Sequence, residues 1–242
     1  MIEAFGWAAL AASALMVGAV AGITLNRIPR TWVGLALAFG AGALISAIAF
    51  ELTIEAFRDG GLPILAAGLS AGAFTYFVGN WWLKHRGGAR RGKTVRPAAT
   101  GQGLSIVLGA VLDGIPESIV LGAMLLTGGV VSPAFFAAVL LSNVPEGFSA
   151  SADLTREGHE AGWILRLWTM VVVASGLAAA LAWAVLDVAG PAIPFAQAFA
   201  AGGLITMLVD TMIPEAYEDS GDRAGLVTVL GFALAFVLSA AS

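Results

Sequence analysis

Charged residues are nearly absent from long stretches of this chain, and that constrains it most. A helix needs roughly 20 apolar residues to cross a bilayer. Eight segments meet that length, at about 4–25, 32–56, 62–83, 103–127, 132–152, 163–186, 193–216 and 224–241. Of the 242 residues 59% are hydrophobic and 12% charged, where a soluble domain is nearer half apolar and a quarter charged. The excess runs through the whole chain, so the expected fold is an all-α polytopic membrane protein occupying residues 1–242 as one transmembrane domain. The absence of cysteine excludes a disulfide framework and thiolate metal sites. MIEAFGW at the N-terminus has no basic region of the signal-peptide kind.

Orientation follows the Lys/Arg bias of short loops. The loop at about 84–101 carries Lys84, Arg86, Arg90, Arg91, Lys93 and Arg96. Placing it in the cytoplasm also puts Arg27, Arg30, Arg156, Arg166 and Arg223 inside and leaves only Arg58 outside. Both termini are then extracytoplasmic, with the cell (inner) membrane as the expected location.

Two internal similarities refine this picture. AFGAGALISAIAFELTIEAF (38–57) and AFAAGGLITMLVDTMIPEAY (198–217) match at eight of twenty positions with an offset of 160, including Phe39/Phe199, Gly42/Gly202 and Glu55/Glu215. LDGIPES (112–118) and LSNVPEG (141–147) share Leu, Pro and Glu at an offset of 29. Within each pair the two spans run in opposite directions, as in inverted-repeat carriers, whose substrate sites lie near mid-membrane at the repeat interface.

Ionisable groups in the membrane are costly and usually face a pathway. Asp113 and Glu117 are four apart and share a helix face. Ser142, Asn143 and Glu146 form the corresponding face of the fifth span. Pro116 and Pro145 cannot donate to the carbonyls of Leu112 and Leu141, which frees an oxygen beside each set of acids. Carboxylates, an amide and a hydroxyl around one point call for a divalent cation. Two alternatives stand beside it: protonated acids that brace the bundle, and a proton relay without metal. Glu51 and Glu55 near the outer end of span 2, and Asp210 and Glu215 near the inner end of span 7, extend the route, with Glu218, Asp219 and Asp222 at the cytoplasmic mouth. A solvated helix end explains Glu55 and Glu215 equally well. His159, between Glu157 and Glu160, offers at most a weak cytosolic metal contact, and His85 lies in the basic loop. HExxH is absent and no nucleophile–base pair is recognisable in the spans, so no enzyme is expected.

These residues resemble the ZIP (Zrt/Irt-like) family of divalent metal transporters, in a divergent prokaryotic-type form. The resemblance covers nearly the whole chain. DGIPES stands where the family has a pattern near HNxPEG, and SNVPEG where it has HxxPEG or QDxPEG. Asp113 takes the histidine position, Glu117 and Glu146 keep the glutamates, and Ser142 and Asn143 take the leading positions of the second motif. The family implies a 3+2+3 helix arrangement, alternating access, a homodimer, and zinc, iron or manganese carried as substrate rather than held as a prosthetic group. The bilayer is the expected partner and nucleic acid is not. Departures bear on the ion: both central histidines are missing, Ala179 stands where a span 6 glutamate serves a second metal, span 2 has no methionine, and the long loop has no histidine cluster. One oxygen-donor site is expected, a chemistry that suits hard ions, although carboxylates also bind zinc. Two other functions fit the same acids. One is a proton-coupled carrier of a non-metal cation; the other is a non-transporting membrane sensor or structural homologue.

Overall fold

A computed structural model describes residues 1–25, 28–85, 102–127, 129–189 and 192–241. They are 93% helical and include no strand. The helices are α1 (Ile2–Thr24), α2 (Arg30–Ala47), α3 (Ile54–His85), α4 (Gln102–Thr127), α5 (Pro133–Arg156), α6 (Ala161–Val188), α7 (Ile193–Met207), α8 (Ile213–Ser220) and α9 (Arg223–Ala241). Two π-helical segments, Ile48–Thr53 and Leu208–Met212, join α2 to α3 and α7 to α8 without a break. Each of the eight predicted segments is therefore helical. The basic loop lies almost wholly outside the described residues.

Among those residues, six helical stretches are long and apolar enough to cross a membrane. The longest, Arg30–Trp82, has 53 residues, about 80 Å at 1.5 Å per residue, far more than a ~30 Å hydrocarbon core requires. It is two legs, separated at Gly61, whose φ of 71° and ψ of 176° interrupt the helix in a region that only glycine adopts readily. The 24-residue α5 is also long enough, but Ser142, Asn143 and Glu146 lower its mean hydropathy and it is not among the six. It starts at Ser132, whose side chain accepts a hydrogen bond from the Phe135 amide at 3.3 Å, with Pro133 at the first helical position.

The core is made mainly of alanine, glycine, leucine and serine, which lets the helix backbones approach closely. Packing pairs come in matched sets: α3 with α7 and α2 with α9; α1 with α5 and α6 with α4; α2 with α5 and α7 with α4. The offset of 160 seen in the sequence recurs here. The π segments begin at Ile48 and Leu208, and the positive-φ glycines between legs are Gly61 and Gly221. A Cβ on Gly42 would overlap the Thr228 carbonyl of α9, and one on Gly202 would overlap the Leu69 carbonyl of α3. The reverse contacts match too: Gly231 lies on the Phe39 carbonyl and Gly72 on the Phe199 carbonyl. The hairpin α2–α3 and the hairpin α7–α8–α9 thus clasp each other by the same means.

Candidate functional site

The acids of the two Pro-Glu motifs meet at the centre of this packing. α4 brings Asp113 and Glu117 into the interior, where both are buried. Helical spacing alone puts them on one face, and Pro116 between them packs against Gly203 of α7. α5 brings Asn143, which is buried, and Glu146, which is half-buried. The Asn143 side chain hydrogen-bonds Glu117, and the electrostatic neighbours of Glu117 are Glu146 and then Asp113. Asn143 is itself anchored, since its amide donates to the Ala11 carbonyl of α1 at 3.2 Å. Glu117, Asn143 and Glu146 therefore converge from two helices whose main packing partners differ, α6 and α7 for α4 and α1 and α2 for α5.

The remaining expected ligands are placed differently. Ser142 is buried, and its hydroxyl turns back to the Val139 carbonyl at 2.9 Å, within its own helix. Asp113 accepts a hydrogen bond of 2.6 Å from the buried hydroxyl of Tyr76 on α3. Among the described residues no three His, Asp or Glu side chains gather into a group that could hold a metal ion. What the centre offers is a carboxylate pair from α4, a carboxylate from α5, and the amide that ties the two helices. This set can bind a cation through few direct oxygens, or share protons.

The four acids assigned to the route each have a polar partner from another helix. Glu51, in the first π segment, accepts from Ser239 of α9. Asp210, in the second, accepts from the buried Asn80 of α3 at 3.0 Å. Glu55 accepts from Gln197 of α7 at 3.0 Å, and Glu215 of α8 from Ser149 of α5. A π-helical turn adds a residue to the helix and commonly marks a functional position, and here each π segment contains one acid.

Tyr76, Asn80, Gln197 and Ser149 are not among the predicted site residues. The first three are polar or hydroxyl-bearing residues in apolar runs, a signal the sequence carries. Their acceptors lie 37, 130 and 142 positions away, which sequence spacing does not connect. His159 stacks on Trp163 with ring centroids 4.4 Å apart and lies 3.9 Å from Glu157. No protein-family model matches the chain, and no curated protein matches it.

Proposed function

We propose that the chain is a ZIP-like transporter that moves a divalent metal ion of the zinc, iron or manganese class across the cell membrane into the cytoplasm. The observation that carries this reading is the convergence of Glu117 with Glu146 and Asn143 from the two Pro-Glu helices. Buried acids joined across a helix interface suit a site that a cation visits. In this reading eight spans cross the bilayer. Arg30–Trp82 counts twice because of Gly61, and α5 counts because its polar residues are the site itself. The matched packing and the recurring offset of 160 support an inverted repeat with a 3+2+3 arrangement. α4 and α5 form the central pair, and the three-helix units rock about it to alternate access. The Lys/Arg bias places both termini outside. A homodimer belongs to the same reading. Asp113, Glu117 and Glu146 must be deprotonated to hold a metal, so protons compete with binding.

A second reading is favoured by the scarcity of gathered carboxylates and by the Tyr76–Asp113 bond: a proton-coupled carrier of a non-metal cation, with no ion bound directly. Thermal stability separates the two. A ligand at about 100 times its Kd adds about 2.7 kcal/mol to the state that binds it, so zinc or manganese should raise the melting temperature by several degrees if metal is bound. The deciding experiment is uptake into reconstituted vesicles across a panel of divalent metals, with Glu117→Ala and Glu146→Ala beside wild type. Metal accumulation lost in both variants supports the transporter; no accumulation above empty vesicles, or full activity in both variants, rejects it.

A further inference from the structure

From Glu146, α5 continues one face through Ser149 and Asp153, at spacings of three and four. At 1.5 Å per residue Asp153 lies about 10 Å along the helix from Glu146, towards the end that the Lys/Arg bias assigns to the cytoplasm. There α5 meets α2 and α8 together. Those two helices are in close contact, since a Cβ on Gly34 of α2 would stand 2.6 Å from the Asp219 Cβ of α8. Two polar links join α5 to them across the boundary. Ser149 donates to Glu215 of α8, and Arg30, the first residue of α2, pairs with Asp153. The Arg30 guanidinium also lies 3.9 Å from Asp219. One side chain thus ties α2 to both α5 and α8. Arg30, Val33, Phe148, Arg156 and Asp219 line a small cavity along the same boundary.

This link is built to part. The Arg30 and Asp153 side chains are 47% and 34% exposed, and ion pairs this open to solvent hold weakly. Neither charge is stranded when they separate. Arg156, on α5 itself, bonds the same Asp153 oxygen at 2.9 Å, and Arg30 is already half in water. Asp219 favours separation. Its side chain is only 10% exposed, and its Oδ2 is buried without a hydrogen-bond partner among the described residues. A carboxylate oxygen kept from both water and donors is costly, and withdrawal of α5 opens to water the cavity that Asp219 lines.

We propose that Arg30, Asp153 and Asp219 form an ion-pair latch that closes the cytoplasmic end of the route, and that α5 parts from α2 and α8 here before an ion leaves the centre. The inference rests on the transport reading, which gives the centre an exit at this end. In that reading α2 and α8 belong to the two rocking units and α5 to the central pair, so the latch sits on surfaces that move.

Cysteine is absent from the chain, so a single introduced thiol reports on one place. Val33 is 7% exposed and lines the cavity. Leu65 is 9% exposed and lies near the opposite end, four residues past Gly61. The full chain in lipid nanodiscs, carrying Val33→Cys or Leu65→Cys, is labelled with a charged, membrane-impermeant maleimide. Arg30→Gln should speed labelling of Val33→Cys several-fold, and so should Asp153→Asn. The two together should fall short of the product of their separate effects, because both release one latch. Arg30→Lys keeps the charge and should label as slowly as its parent, and Leu65→Cys should not speed up in any of these backgrounds. Unchanged labelling of Val33→Cys in Arg30→Gln, equal acceleration by Arg30→Lys, or independent effects of the two substitutions overturns the latch. Acceleration at Leu65→Cys as well would be general loosening and overturns it too. Labelling needs no metal, so the two readings fail separately: absence of metal uptake by wild type rejects transport and leaves the labelling result standing.

Discussion

The two hairpins, α2–α3 and α7–α9, share a backbone but not a set of polar partners. Their π segments and inter-leg glycines coincide at an offset of 160, as do Gly42 with Gly202 and Phe39 with Phe199 in the glycine-on-carbonyl contacts, while the facing residues Thr228 and Gly231 lie one position off that offset from Leu69 and Gly72. Their acids drift from it. Glu51 aligns with Thr211, and Asp210 with Phe50, so the two π segments carry their charge one residue apart. Glu55 and Glu215 do align, yet one is held by Gln197 of the opposite hairpin and the other by Ser149 of α5. Close packing tolerates little change in backbone spacing. Partners of an acid can be exchanged more freely, provided some donor arrives. In the proposed transport cycle the shared backbone would be the moving frame and the divergent acids what makes the two ends of the route different.

The largest expected effect comes from forcing the clasp apart. Gly42→Leu and Gly202→Leu each drive a side chain into a backbone carbonyl that cannot rotate away. Each should cost about 3 kcal/mol, the upper part of the overpacking range. Thermal unfolding in detergent should show similar losses in melting temperature for the two variants. A loss confined to one of them would break the equivalence of the hairpins.

Next come the glycines between the legs. Gly61 and Gly221 have φ of 71° and 63° with extended ψ, and nothing near Gly221 would meet an added Cβ. Alanine there pays only in backbone strain, about 1–2 kcal/mol. Gly61→Ala and Gly221→Ala should therefore lower the melting temperature by like amounts, each less than the clasp variants.

These features differ in how far the sequence discloses them. The eight apolar runs fix the helices to within a few residues, because length and hydropathy act locally. Gly42 and Gly202 stand out in the aligned repeat, although their carbonyl partners do not. The Glu117–Glu146 meeting is legible because two Pro-Glu motifs point to it. The π segments are not, since an inserted turn is settled by how a long helix packs on its neighbours. Arg30 reads in the sequence only as a loop charge that sets orientation, because Asp153 is 123 positions away. Tyr76 escapes notice because it is neither charged nor part of a motif, yet it holds Asp113.

A smaller effect is expected at the acids of the π segments. Asn80→Ala and Ser239→Ala each remove one donor to a carboxylate, and about 1 kcal/mol is the usual scale for such a bond. Asn80 is buried, so its loss should exceed that of Ser239. If the chain transports as proposed, both should slow uptake into vesicles by less than Glu117→Ala does, because they adjust the route and leave the centre intact. Equal and complete loss of uptake in both would move the site from α4 and α5 to the π segments.

The smallest change in stability, and the sharpest test of the comparison, lies at Gln197. Its counterpart at the offset of 160 is Leu37, and both side chains are fully buried. Leucine therefore already fills this place in the other hairpin. Gln197 gains one bond, to Glu55 at 3.0 Å, while its Oε1 is buried without a partner. An unsatisfied buried oxygen costs about as much as a hydrogen bond contributes, so Gln197→Leu should shift stability by no more than about 1 kcal/mol in either direction. Selection for packing alone has no reason to keep glutamine there. If Glu55 belongs to the route, the same substitution should reduce metal uptake several-fold at low external metal and less at saturation, because it disturbs capture and leaves the central carboxylates untouched. Unchanged uptake at every metal concentration would make Glu55 a solvated helix end and leave Glu51 as the acid of that hairpin.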